Sequence, residues 1–491
     1  MMLNVRSYRL KLFGCLLLLL HLKLFSLGQV FKKQDSIKSE LILQQKQKLK
    51  FTLIPNLEVI SIRANDKEPF TQTLLKNTEL QRLNVVQDIP YILSQTPSLV
   101  SFSDAGTGIG YTGLRIRGTD ATRINFTING IPYNDAESQA LYFVDIPDII
   151  SSTSSIQIQR GVGSSTNGSA SFGASINLST NEFDSNLNFQ FKNTFGSFQT
   201  IKSTFIFNSG TLIPNLKFHI RFNKTNSAGY IDRAFADLYG ASFGAEYQIK
   251  TRSKLHFNFI LGNQNSYQAY YGVPQDSLAT NRTFNIAGTD KVGQPYPNQT
   301  DNYGQRLYQL FFNHQIHSNL FFNISLFTTT GKGYYEEYLG LNSYIDPSYY
   351  KINTYIIVHS LVRQKWLDNI FYGQIFSIKY NTTKSNFIFG GGWNTYIGDH
   401  FNRVIAINDS FFTPAKNYID VTASKKDYNG FIKWQYLMRP GLYSYVDALL
   451  GKRVGFIAGW ILFLDYILGP TATSIVVINY LKYYVPHLNW H

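Results

Sequence analysis

Cysteine is all but missing: of 491 residues only Cys15 carries a thiol, and it sits in an apolar N-terminal run. A disulfide framework is therefore excluded, as is a CxxC zinc site, and neither metal nor cofactor is expected. Methionine is scarce at 3 residues, and charged side chains make up only 15% of the chain. No Gly-rich loop ending in Lys-Ser or Lys-Thr is present to cradle a phosphate, and no catalytic constellation points to an enzyme. The formal net charge of +14 is spread along the chain instead of forming a basic stripe with interleaved aromatics, so nucleic acid is not an expected partner. Aromatics, in contrast, are abundant at 15%, with 33 Tyr and 38 Phe. Few charges with many aromatics and neutral polar residues is a composition that suits a transmembrane β-barrel.

The chain opens with Arg6, Arg9 and Lys11 before a leucine-rich run that ends in small residues at Ser26 and Gly28. Residues 1–28 are expected to be a secretory signal peptide, followed by a polar, basic leader over 29–56. From 57 to 180, short apolar segments alternate with Gly, Ser, Asn and Asp turns, which predicts a compact α+β domain. Within it, "DIPYILSQTP" predicts a helix with Ile89, Ile92 and Leu93 on one face.

Beyond about residue 185 the period becomes two. In "LKFHIRFN", Leu216, Phe218, Ile220 and Phe222 share one face, whereas Lys217, His219, Arg221 and Asn223 share the other. The pattern recurs at Leu187/Phe189/Phe191, Leu255/Phe257/Phe259, Phe322/Ile324/Leu326, Phe376/Ile378/Tyr380 and Ile432/Trp434/Tyr436. A single alternating segment marks any half-buried strand; about ten in succession behind an export signal predict a barrel wall. The long polar connection 263–305 agrees with the uneven loops of such barrels.

Four motifs appear in order: "DIPYILSQTPSLVSFSDAGTGIGYTGLRIRG", the hairpin "INFTINGIP", "IQIQRG" and "FGASINLST". Asn129-Gly130 is the pair demanded by a two-residue hairpin turn, and Gly118 and Gly161 each follow an arginine at a strand end. Over 57–180 this arrangement resembles the plug domain of TonB-dependent outer-membrane receptors. The resemblance implies a mainly β fold: an N-terminal α+β plug, then over 181–436 part of an antiparallel outer-membrane barrel. It implies that Arg117 and Arg160 lock the plug to carboxylates on the wall. Leu57, Glu58, Val59, Ile60 and Ser61 then stand where the family carries its TonB box, a strand able to pair with the energising partner TonB. Solute recognition falls on Tyr111, Tyr133, Asn134, Asp135, Tyr270, Tyr271, Asp399 and His400, all on apical or loop segments. The partners implied are TonB, outer-membrane lipid and a small solute, either an iron chelate or a vitamin-like molecule.

The final segment breaks the pattern. "VGFIAGWILFLDYILGPTATSIVVINYLKYYVP" (454–486) is nearly apolar throughout, and 439–486 resembles the third-span region of amino acid/polyamine permeases. An apolar helical tail over 437–491 is therefore expected, foreign to the barrel and joined near 436–439, leaving a truncated, chimeric receptor. Two rival readings follow: a passive barrel or adhesin without energy coupling, and a fragment of an inner-membrane permease.

Overall fold

The computed structural model describes residues 63–64, 68, 70–164, 173–180, 182–340, 360–407 and 419–450. They form an N-terminal domain and a large meander wall. The N-terminal domain begins with strand β1 (Gln72–Lys76), helix α1 (Asn77–Leu83) and the short helix α2 (Ile89–Ile92). The strands β2 (Leu99–Ser103), β3 (Thr112–Ile116), β4 (Ile124–Ile128), β5 (Ile131–Pro132), β6 (Ser155–Arg160) and β7 (Ala174–Ser179) follow. Five of these make one sheet in the order β1-β6-β7-β4-β5, in which β4 and β7 run parallel; β2 and β3 pair separately. The sheet forms because its strands are continuous apolar and small-polar runs, and all five residues of β4 and all six of β7 are buried. Phe126, Ile156, Ile158 and Ile176 are at zero exposure in the resulting core, each contributing roughly 1.5–3 kcal/mol by burial.

The predicted helix over 88–97 is shorter in the structure, α2 only, because Pro90 at its start and Pro97 after it leave room for little more than one turn. Ile89, Ile92 and Leu93 do share a buried face. Helix α1 was not anticipated: its seven residues bury only Leu80 fully, too little for a periodic signal.

Among the described residues the wall contains eleven strands paired antiparallel in sequence order: β8 (Asn188–Gly196), β9 (Thr200–Asn208), β10 (Leu216–Ser227), β11 (Ala236–Lys250) and β12 (Ser253–Tyr267); then β13 (Thr300–His317), β14 (Leu320–Leu339), β15 (Leu361–Asn381), β16 (Ser385–Ile407), β17 (Ile419–Arg439) and β18 (Leu442–Leu450). Connections at one end are tight: 251–252, 318–319, 382–384 and 440–441. At the other end the β8–β9 connection, 197–199, is short as well, but those from β10 onward are longer, above all 268–299.

Which face is buried decides what the wall is for. Along β10, Lys217 apart, it is the polar residues that are buried: His219, Arg221, Asn223 and Thr225. Phe222 is 56% exposed, and Phe189, Phe191 and Phe195 on β8 are 63–75% exposed. In water that arrangement would be inverted; a wall that shows phenylalanine outward and buries asparagine and arginine inward is built for lipid outside and polar filling inside. Arg221, His256, Asn313 and Gln309 form part of that filling, Arg221 bonded to the Pro147 carbonyl and Gln309 to Asn129 of the N-terminal domain.

The expected helical tail is corrected where the structure describes it. Residues 437–439 complete β17, and 442–450 form strand β18, paired from Arg439↔Leu442 to Gly430↔Leu450. Gly441, at φ 82°, makes the two-residue turn between them. Tyr445 and Asp447 lie on one face and are joined by a hydrogen bond of 2.9 Å, while Leu442 and Val446 point outward, nearly half exposed. The period of two was hidden in the sequence because this strand runs straight into an apolar segment. Residues 451–491 lie outside the described residues, and among the described residues no helix is long and apolar enough to cross a membrane.

Candidate functional site

Two places combine chemistry with geometry: the seam where the N-terminal domain meets the wall, and a cavity above that domain.

The seam is built around Asp148. It sits in the left-handed region (φ 52°, ψ 27°) before the 3-10 turn Ile149–Ser152, in an apolar loop from 143 to 150 that presses on the wall. Its carboxylate meets Lys202 Nζ of β9 at 2.7 Å and Arg221 Nη1 of β10 at 4.0 Å, with all three side chains at most 6% exposed. Thr204 Oγ1, Ser151 Oγ and Asn84 Nδ2 also donate to it. Burial would push the acid upward, but Lys202 and Arg221 overcome it and hold the carboxyl below its ordinary value. Arg221 Nη1 also donates to the Pro147 carbonyl at 2.8 Å. A second buried pair, Lys433 Nζ of β17 with Glu68 at 2.8 Å, holds the stretch before β1. The polar hairpin tip is docked as well: Asn129 Nδ2 donates to Gln309 Oε1 of β13 at 2.9 Å.

The polarity of this seam is the reverse of the expectation. Arg117 and Arg160 make no ion pair among the described residues. Arg117 is exposed in a left-handed turn (φ 51°), its guanidinium lying against Gly161, and Arg160 Nη1 reaches only the Pro97 carbonyl at 3.5 Å. Arg117 follows β3 and Arg160 ends β6 in the N-terminal domain, whereas the cations of the seam come from the wall's inner face. The carboxylates come from the domain inside. Asp145 and Asp148 were the available signal, two acids in the apolar run "FVDIPDII".

The turn glycines behave as the motifs require. Asn129 and Gly130 have φ 56° and 86°, and Gly118 and Gly161 have φ 77° and 99°. Residues 57–61 lie outside the described residues.

The cavity measures about 850 Å³, a size suited to a small solute. Of the eight residues proposed for recognition, Tyr111, Tyr133, Asp135, Tyr270 and His400 line it. The other three do not. Asn134 is spent on the loop itself, accepting from the Phe126 amide at 2.8 Å and donating to the Ile124 and Gln139 carbonyls. Asp399 points to the other face of β16 and accepts from Thr422 Oγ1 at 2.6 Å. Tyr271 stands outside the lining, its ring 4.4 Å from that of Tyr270. Asp145, Asp301, Gln264, Glu137 and Trp366 are among the further lining residues and were not found from sequence. They come from five separate segments, which only the wall brings together. Gln264 Nε2 of β12 donates to Tyr111 Oη at 3.0 Å and to Asp145 Oδ1 at 3.3 Å. Burial, then the neighbouring Asp301, pushes the Asp145 carboxyl up to about 8, and burial raises Asp104 to about 6. The phenols of Tyr111 and Tyr133 are raised for the same reason. At the rim, Glu137 of the inner domain meets His400 Nε2 of β16 at 2.9 Å, and Lys425 Nζ donates to the Ala136 carbonyl.

Comparison with known proteins bears on this geometry. Residues 64–175 match the family model for the TonB-dependent receptor plug domain. The inner domain is a receptor plug. No curated protein sequence matches the chain. Among solved structures, it is similar to the ferripyoverdine receptor of the outer membrane of Pseudomonas aeruginosa, with TM-score 0.56 and 12% identity over 79% of this chain and 53% of that one. It is also similar to the ferric-catecholate import receptor Fiu of Escherichia coli K12 (TM-score 0.53, 15% identity, 80% and 56% covered) and to the copper transporter OprC (0.56, 9%, 76% and 54%). The chain spans about half the length of these receptors. At such identities the likeness concerns fold: a plug enclosed by an outer-membrane barrel wall. With the plug match, the chain is an outer-membrane protein of that architecture. The comparisons lend no support to the permease-like reading of 439–486.

Proposed function

We propose that this chain supplies the plug and part of the wall of an energised outer-membrane receptor for a scarce small solute, an iron chelate or a vitamin-like molecule. The observation that carries the reading is the plug itself, docked by buried ion pairs inside a wall whose apolar face looks outward, with a cavity at the plug's apex. A barrel that only let solutes diffuse would have no use for a folded domain filling its lumen. A buried ion pair orients more than it stabilises, which suits a contact that must break and re-form as the plug loosens. The coupling segment is 57–61, through which TonB would pair by strand addition.

Titrating the detergent-solubilised full chain with the periplasmic domain of TonB tests this. Saturable binding that disappears on deletion of 57–61 is expected. Binding that survives the deletion moves the coupling segment elsewhere; no binding by either form rejects energised uptake and favours the passive barrel.

A further inference from the structure

We infer that the cavity takes a solute bearing a cationic nitrogen donor beside a planar or apolar face, and that it rejects polyanionic chelates. This rests on the cavity being the solute site of the receptor proposed above. The whole chain carries a formal +14, yet the cavity is lined by five acidic side chains, Asp104, Asp135, Glu137, Asp145 and Asp301, of which Asp145, with its carboxyl pushed up to about 8, is mostly protonated at neutral pH and the others supply the negative charge. The lining cations are already matched. His400 faces Glu137 at 2.9 Å, and Lys365 Nζ lies 3.1 Å from Glu337 and 4.9 Å from the Tyr335 ring centroid. Among the described residues, Asp104, Asp135, Asp145 and Asp301 have no cationic partner. An anionic solute would enter with no free positive charge to meet it, and like charges in a partly dry cavity cost several kcal/mol.

A second observation points the same way independently of charge. Gln264 is only 6% exposed and lines the cavity; its Nε2 is used by Tyr111 and Asp145, but its Oε1 accepts from nothing among the described residues. The Oε1 of Gln305, also on the lining, is likewise buried and without a donor. A buried acceptor without a donor is costly, and an entering N–H group removes that cost. The remaining wall is aromatic: seven tyrosines and Trp366, with the Tyr334 and Trp366 rings 4.5 Å apart. Such faces attract cations and stack on planar groups. Amines, guanidinium compounds and metal chelates of net positive charge all meet these demands.

The test uses two planar probes of opposite charge, methyl viologen as a dication and naphthalene-1,5-disulfonate as a dianion. Each is titrated against the full chain in a neutral detergent at low salt. Methyl viologen is expected to bind saturably at least about tenfold more tightly, and to weaken as salt screens the cavity. Asp301→Asn should weaken it about threefold or more, whereas Gln264→Leu, which removes an acceptor that only an N–H group can use, should weaken a third probe, benzamidinium, by that factor and leave methyl viologen within about twofold. Asp135→Asn, at the more open rim, keeps an oxygen for the Ser138 amide and should weaken methyl viologen as Asp301→Asn does, without a buried change. Equal or tighter binding of the disulfonate, saturation by neither probe, or indifference of both cations to all three substitutions would overturn the inference. The TonB titration involves no solute, so its failure and this one are separable.

Discussion

Replacing Asp148 with asparagine removes one negative charge from the seam while leaving the backbone at ease, since asparagine tolerates the left-handed conformation that residue 148 adopts. At an effective dielectric near 20, the attraction of Lys202 at 2.7 Å is roughly 6 kcal/mol and that of Arg221 at 4.0 Å about 4 kcal/mol. Most of that sum offsets the cost of taking three charges out of water, so the pair as a whole contributes little. Removing one member is another matter, because Lys202 and Arg221 are then left buried without their counter-ion. The loss should be about 3–5 kcal/mol, at least a hundredfold in the equilibrium for loosening the plug. Native-state hydrogen exchange reads it directly: protection of the plug amides in 73–76 and 155–160 should fall by that factor while the wall amides hold. Adding Lys202→Met to Asp148→Asn should restore at least half of the loss, because Arg221 keeps its bonds to the Pro147 carbonyl and Asn223. Plug protection within about threefold of the parent in Asp148→Asn, or a double variant as poor as the two singles summed, would refute the reasoning.

Gly262 lies where β12 passes the plug loop, and a Cβ there would collide with the Asp145 carbonyl, so Gly262→Val should displace 143–148 and weaken methyl viologen binding at least tenfold while leaving the wall folded, as judged by circular dichroism. The plug should also be more stable in mild acid. Burial raises the folded carboxyls of Asp88 to about 7, Asp104 to about 6 and Asp145 to about 8, above their value of 3.8 in an open chain, so the folded state holds more protons and loses stability as pH climbs from about 4 to 8. The lowered carboxyl of Asp148 acts oppositely, its contribution being complete above pH 3.8 and lost only below it. Urea midpoints of the plug measured at pH 5.5, 7 and 8.5 should therefore decline in that order. A rising series would mean that these acids are not protonated in the fold.

Much of the architecture was legible because its signals are local. Alternation needs only a strand's own residues, so the wall could be read from Leu216–Asn223 and its repeats, and the Asn129-Gly130 turn announces itself wherever two central residues must take positive φ. The plug motifs are likewise continuous stretches. Where the local signal ran against its neighbours, as in 442–450 before an apolar segment, the period was misread as helix.

What the sequence by itself determined is therefore the order of parts and which face of each strand is apolar. Only the tertiary structure decided that the apolar face looks outward, since a period of two does not say which side is solvent. It also decided the partners. Lys202 and Asp148 are far apart in the chain, as are His400 and Glu137, and no spacing rule links residues whose meeting depends on the stagger of a whole wall around a plug. The cavity is the extreme case. Its carboxylates and rings come from plug loops, from the 268–299 connection and from β13 to β16, and a charge that looks like an ordinary loop residue acquires a role when those segments close around one space.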